Sequence, residues 1–211
     1  MSATIQPLTI LAADQRLLAA DKPSGLLCVP GRGADKQDCL FTRLSAQWGE
    51  LWVVHRLDRD TSGVVLFARD SAALAMLARQ FQERSVAKRY VAIVAGRVEA
   101  DRGRLTWPLT RDLQRTPRYR VDYHHGLTAV TDFEVTERGE TDTRLELRPL
   151  TGRSHQLRVH LCTMGHPILG DPLYAPASVA AMADRLCLHS RWLEIDHPDG
   201  GRRRYESAAP F

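Results

Sequence analysis

The densest run of side chains able to do chemistry is His55-Arg56-Leu57-Asp58-Arg59-Asp60-Thr61-Ser62-Gly63. Asp58 and Asp60 are of the type needed for glycoside chemistry, one carboxyl as acid and the other as nucleophile. Arg56 and Arg59 weigh against a proton donor, because nearby cations hold a carboxylate in its ionised form. Ser62 and His55 are of the type of a nucleophile and its base. No G-x-S-x-G elbow surrounds Ser62, however, and so short a separation demands a tight loop to bring the two side chains face to face. A second concentration lies at Gly152-Arg153-Ser154-His155-Gln156-Leu157-Arg158-Val159-His160. On a helix, His155 and His160 would stand about 140° apart around the axis, too far to share a metal ion. A plain solvated turn could have the composition of the first run, so its surroundings have to decide.

Those surroundings are apolar on both sides. Leu51 to Val54 precede the run and Val64 to Ala68 follow it, the latter β-branched and apolar on both faces, as in a strand buried within a sheet. Rigid flanks around a polar loop are what a site requires. Upstream, Thr9 to Ala20 reads as strand, turn at Asp14-Gln15 and strand, followed by the turn formers Asp21-Lys22-Pro23-Ser24-Gly25. Gly31-Arg32-Gly33 marks a loop before a short helix over Leu40 to Trp48. Asp70 or Ser71 can cap a helix whose apolar positions are Leu74, Leu77, Ala78 and Phe81, ending near Arg84. Strands are expected over Tyr90 to Val98, Ala129 to Val135, Arg144 to Leu147 and Leu186 to Ile195. Ser154 is expected to cap a helix with the stripe Leu157, Leu161 and Met164, stopped by Gly165. Strands outnumber helices and do not alternate with them regularly, which predicts an α+β fold with a mostly antiparallel mixed sheet flanked by helices and loops.

Composition narrows the function classes. In 211 residues, 29 Lys+Arg oppose 25 Asp+Glu for a net +4, and 44% of the residues are hydrophobic, so disordered and fibrous classes drop out. No apolar run approaches the roughly 18 to 20 residues of a membrane span. The N-terminus has no cation before Arg16 and lacks the pattern of a secretory signal, so the cytoplasm is the expected compartment. Cys28, Cys39, Cys162 and Cys187 are scattered without a C-x-x-C pair. All but three of the 29 cations, Lys22, Lys36 and Lys88, are arginines. An arginine fork suits phosphate and base stacking, though an arginine-rich coding bias would give the same count.

The run His55-Arg56-Leu57-Asp58-x-x-Thr61-Ser62-Gly63 is similar to the H-R-L-D-x-x-T-S-G signature of the RluA-type pseudouridine synthases. Lys88-Arg89-Tyr90-Val91-Ala92 resembles the family's second motif, and Gly152 to His160 its third. The third is followed by the family-like Gly165-His166-Pro167-Ile168-Leu169-Gly170-Asp171 and Tyr174. Asp21-Lys22-Pro23-Ser24-Gly25-Leu26 is similar to the segment that opens the family's core. The blocks keep the family's order from about residue 10 to the C-terminus. The resemblance implies the pseudouridine synthase fold over residues 1–211 as one catalytic domain without an accessory RNA-binding domain. In this the chain is most like family members that act on both large-subunit (23S) ribosomal RNA and the anticodon stem-loop of transfer RNA.

What the resemblance implies for chemistry is an exchange of the N1–C1′ bond of uridine for C5–C1′, in which no atom enters or leaves. No cofactor or metal is then expected, in keeping with the lack of any P-loop or G-x-G-x-x-G run. Asp58 matches the family's essential aspartate, acting on carbon or on a ribose proton. Arg153 matches its arginine partner, and Tyr90 the tyrosine that stacks on the base and is the candidate to deprotonate C5. Arg56 would insert where the flipped base had been. Arg102, Arg104, Arg111, Arg115, Arg118 and Arg120 share a stretch whose only acid is Asp112, read as a mobile loop gripping the RNA backbone, chiefly through Arg111, Arg115 and Arg118. Arg202-Arg203-Arg204 reads as another basic patch. His55 is expected to organise its loop, and His155 and His160 to be structural. A monomer with RNA as its partner is expected, against the rival of a catalytically silent RNA-binding module or chaperone.

Overall fold

A computed structural model describes residues 8–211. The reading of the extreme N-terminus falls partly on residues 1–7, outside the described residues. In chain order the elements are β1 (Thr9–Ala13), β2 (Leu17–Lys22), α1 (Leu40–Trp48), β3 (Trp52–Val53), β4 (Ser62–Ala68) and α2 (Ser71–Glu83). There follow β5 (Ala87–Ala95), β6 (Arg102–Leu105), β7 (Leu109–Arg111), β8 (Tyr119–Val121), β9 (Thr131–Arg138) and β10 (Asp142–Pro149). The chain ends with α3 (Gln156–Thr163), α4 (Ala177–Ala180), β11 (Leu188–Asp196) and β12 (Arg202–Glu206). Among the described residues no helix is long and apolar enough to cross a membrane. The elements form two compact units, one holding the described residues up to Ala87 with Trp192–Ala208, the other Lys88–Arg191 with Ala209–Phe211.

In the first unit β4 is buried at all seven positions, as its apolar sequence requires. β2 pairs with it antiparallel from Leu17↔Ala68 to Lys22↔Gly63, and β1 pairs with β2. The α2 helix starts where Asp70 Oδ1 accepts the Ala73 N–H at 2.8 Å, and ends at Arg84 in the left-handed region, φ 60°. Its buried positions are Ala73, Leu77 and Gln80, which shifts the expected stripe, and Ala78 faces solvent. Gln80 is a polar residue inside that stripe because its amide clasps the backbone of Asp196, donating to the carbonyl at 2.7 Å and accepting the N–H at 2.8 Å. Leu66, Leu77, Leu193 and Ile195 share the core.

In the second unit β5, β10, β9 and β6 pair antiparallel in that order. Alternate residues of β10, Thr143, Leu145, Leu147 and Pro149, are buried, and Leu145 and Leu147 pack with Leu157 and Leu161 of α3. Each such leucine is worth about 1.5–3 kcal/mol of burial. Ser154 does not cap α3. The residue before the helix, His155, is left-handed at φ 56° with no side-chain cap, and the preceding turn is held instead by Gln156. Gln156 Oε1 accepts the Arg153 N–H at 3.0 Å and the Thr151 hydroxyl at 2.7 Å, and Nε2 donates to Val130 O and Thr131 Oγ1. Met164 is half-buried at the helix end, and Gly165 follows at φ +92°.

Both units are antiparallel in their strand ladders, so the α+β expectation holds. The stretch Arg102 to Arg120, expected as one loop, is instead divided between β6 and the β7–β8 hairpin. Arg102 and Arg104 lie on β6, where Arg104 forks onto Asp132, and Arg120 pairs with Asp122 at 2.8 Å. The Arg202-Arg203-Arg204 patch forms β12, with Arg202 and Arg204 on Glu194 and Arg203 on Asp14, so its charge is largely met within the fold.

Candidate active site

Asp58 sits on the loop between β3 and β4, half-buried, with Leu57 beside it buried in the core at 7% exposure. The loop has little regular structure of its own and is held by the turn that follows β2. Lys22, fully buried, donates from Nζ to Pro23 O at 2.9 Å, Leu26 O at 2.6 Å and Arg59 O at 2.7 Å. A buried ammonium is tolerated because carbonyls replace its hydration. The Gly25 N–H donates to Arg59 O at 3.0 Å and the Ser24 hydroxyl to Asp60 O at 2.6 Å. The Asp21–Leu26 segment thus clamps the chain directly after Asp58. On the other side His55 Nε2 accepts the Leu66 N–H of β4 at 3.0 Å, and its ring stacks on Phe81 at 4.7 Å. An imidazole that accepts at Nε2 carries its proton on Nδ1, which fits His55 as the loop's organiser. Asp60 is tied to Arg59 at 3.0 Å, and Arg56 is exposed.

Tyr90 lies on β5 in the second unit, opposite Leu147 of β10 and packed on the edge of the core. Arg153 lies in the turn before α3, with Nε donating to Thr128 O at 3.1 Å. The same motif holds a second arginine that the sequence reading passed over. Arg158, 2% exposed, is forked onto Asp171, 1% exposed, with Nε–Oδ2 2.8 Å and a terminal nitrogen to Oδ1 2.6 Å. Its guanidinium lies over the Tyr174 ring at 5.2 Å. Asp171 also accepts the N–H groups of Leu173 and Tyr174, which fixes the segment following the Gly165–Asp171 block. The Tyr174 hydroxyl is 2.6 Å from His155 Nδ1 and accepts the Tyr119 N–H of β8 at 2.8 Å. Tyr174 therefore connects the Arg153–His155 turn to the hairpin.

That hairpin carries the remaining candidates. Arg111 closes β7 and Arg115 lies in the turn, both exposed, with Arg118 half-exposed just before β8. Asp112 Oδ1 caps the turn by accepting the N–H groups of Gln114 and Arg115. Leu109, Ala129 and Val159 with Tyr119 and Tyr174 give the hairpin a small core against α3. His160 is structural as expected: it is buried, 2.9 Å from Trp107 O and 3.1 Å from Thr131 Oγ1, and burial pushes its pKa down. Among the described residues no group of three or more His, Cys, Asp or Glu is placed to hold a metal.

Residues 16–163 match the sequence pattern of the RNA pseudouridylate synthases. The chain belongs to that family. This pseudouridine synthase is 45% identical over 193 residues to the dual-specificity RNA pseudouridine synthase RluA of Yersinia pestis, covering 91% of this chain and 94% of that protein. To the Escherichia coli protein of the same name it is 44% identical over 206 residues, 97% of this chain and 94% of the other. The solved structure of human RNA pseudouridylate synthase domain containing 1 superposes with a TM-score of 0.84 at 27% identity, over 100% of this chain and 87% of that one. Human RNA pseudouridylate synthase domain containing 4 gives 0.78 at 26% identity, over 96% and 88%. The pseudouridine synthase fold expected from the motifs is thus the fold found. The enzyme is an isomerase, and likeness of this extent to enzymes does not favour a catalytically silent module.

Proposed function

We propose that this pseudouridine synthase isomerises uridines in structured RNA of two kinds, large-subunit ribosomal RNA and the anticodon stem-loop of transfer RNA. The observation that carries the reading is the 44–45% identity, over nearly all of the chain, to relatives named as dual-specificity RNA pseudouridine synthases. Asp58 is the essential carboxylate, attacking carbon or removing a ribose proton while N1–C1′ breaks and before C5–C1′ forms. Tyr90 stacks on the uracil and takes the C5 proton, and Arg153 pairs with Asp58 in its ionised form. Arg56 fills the gap left by the flipped base, offsetting an unstacking cost of a few kcal/mol. In this reading residues 1–211 act as one catalytic domain, a monomer without metal or cofactor, in the cytoplasm where its RNA is.

With Tyr90→Phe, RNA should still bind while tritium release from uridine labelled at C5 slows at least about a hundredfold, because the ring stacks but no hydroxyl takes the proton. Release at the wild-type rate would remove Tyr90 from acid–base work. Arg111, Arg115 and Arg118 grip phosphates in this reading. The double variant Arg115→Ala/Arg118→Ala should lower the slope of log binding constant against log salt by about 1.4–1.8, two phosphate contacts at about 0.7–0.9 each. An unchanged slope would take the hairpin out of the RNA interface.

A further inference from the structure

Lys88 is one of only three lysines in the chain. It lies on β5 two residues before Tyr90, so the two side chains leave the same face of the strand. Between them Arg89 points the other way and is occupied by Glu146 at 2.9 Å. The Lys88 ammonium reaches the turn before α3, where a Cβ built on Gly152 would lie 3.7 Å from Nζ. That is ordinary contact distance, so a larger side chain at 152 would cover the ammonium, and glycine there leaves it open beside Arg153. The side chain is half-buried, and burial pushes its pKa down to about 8. Among the described residues no carboxylate answers it. Lys22, which is fully buried, shows the contrast, since three backbone carbonyls meet its charge.

A desolvated cation without a counter-charge costs stability, and such a cost is typical of groups kept for binding or catalysis. The missing anion must come from outside the chain, and the anion that an RNA substrate supplies is its phosphodiester. A lysine meets phosphate as a compact point charge. We propose that Lys88 is a substrate-binding residue whose ammonium receives a phosphodiester oxygen of the RNA beside the Gly152–Arg153 turn. The proposal rests on the RNA-modifying site described above and adds a contact to it. Bound RNA supplies the counter-charge, so the penalty carried by the free enzyme is relieved on binding.

The test compares Lys88→Met and Lys88→Arg with the wild type, using transcripts of transfer RNA and large-subunit ribosomal RNA labelled with tritium at uridine C5. For Lys88→Met the salt slope of RNA binding should fall by about 0.7–0.9, the share of one phosphate. kcat/KM for tritium release should drop about tenfold or more, as for loss of one partner of a desolvated charge pair. Its thermal midpoint should rise, because the uncompensated charge is gone. Lys88→Arg should keep the wild-type slope. An unchanged slope and kcat/KM in Lys88→Met would overturn the proposal. So would a lowered midpoint with no recovery of slope in Lys88→Arg, which would make Lys88 a structural residue. If the wild type releases no tritium from either RNA, the isomerase reading fails separately, and the salt slopes still decide whether Lys88 meets a phosphate.

Discussion

Replacing Asp58 with alanine is expected to abolish turnover while leaving RNA binding and the fold in place. A loss of at least ten-thousandfold, roughly 5 kcal/mol of transition-state stabilisation, follows if its carboxylate acts on the reacting ribose. The fold should survive because the loop's identified anchors lie on either side of Asp58. Leu57 is buried, His55 is fixed to β4, and Lys22, Ser24 and Gly25 hold the carbonyls of Arg59 and Asp60. Gel-shift binding, thermal melting and tritium release measured on one preparation separate the effects. Unimpaired release from the variant would remove Asp58 from the chemistry. A large fall in melting temperature would mean that the aspartate works chiefly in holding the loop.

The largest stability effect is expected at Arg158. Arg158→Met keeps length and apolar contact but strands the Asp171 carboxylate at 1% exposure. Breaking one side of a buried ion pair costs about 3–5 kcal/mol. In a chain of this size that is on the order of 10 °C in melting temperature. The double variant Arg158→Met/Asp171→Leu should regain part of the loss, since no charge is then left stranded, although Asp171 also accepts two backbone N–H groups. Urea unfolding of the two single variants and the double variant measures the coupling. Additive losses would mean that the 2.6 and 2.8 Å contacts contribute little beyond packing.

The chemistry-bearing loop was legible because its signal is local. A polar run between apolar segments, with β-branched residues after it, can be read from neighbours in sequence, and His55 and Asp70 act as their types and positions suggested. What sequence left hidden depends on contacts far along the chain. Lys22 looks like a turn lysine until Arg59 O is placed on it, 37 residues away. Gln80 and Gln156 lie outside the apolar stripes expected from the sequence yet are buried, and the backbone they clasp explains why. Of the two arginines in Gly152–His160, the first stood out as the match to the family's arginine partner of the aspartate. The second is the one the fold buries, with an aspartate 13 residues on. The strands β6, β7, β8 and β12 were missed because they are three to five residues long and rich in arginine, too short to show alternation. The same arginines read as basic patches from sequence, yet those on β12, Arg104 on β6 and Arg120 on β8 are answered by carboxylates, whereas Arg111 and Arg115 of the β7–β8 hairpin are exposed to solvent.

The most direct test incubates the wild-type protein with large-subunit ribosomal RNA and transfer RNA transcripts carrying tritium at uridine C5, then follows released tritium, free uracil and chain length together. Tritium release from both RNAs, matched by pseudouridine in chains of unchanged length and with no free base, is the predicted result. No release, or release accompanied by free uracil or cut RNA, would contradict it.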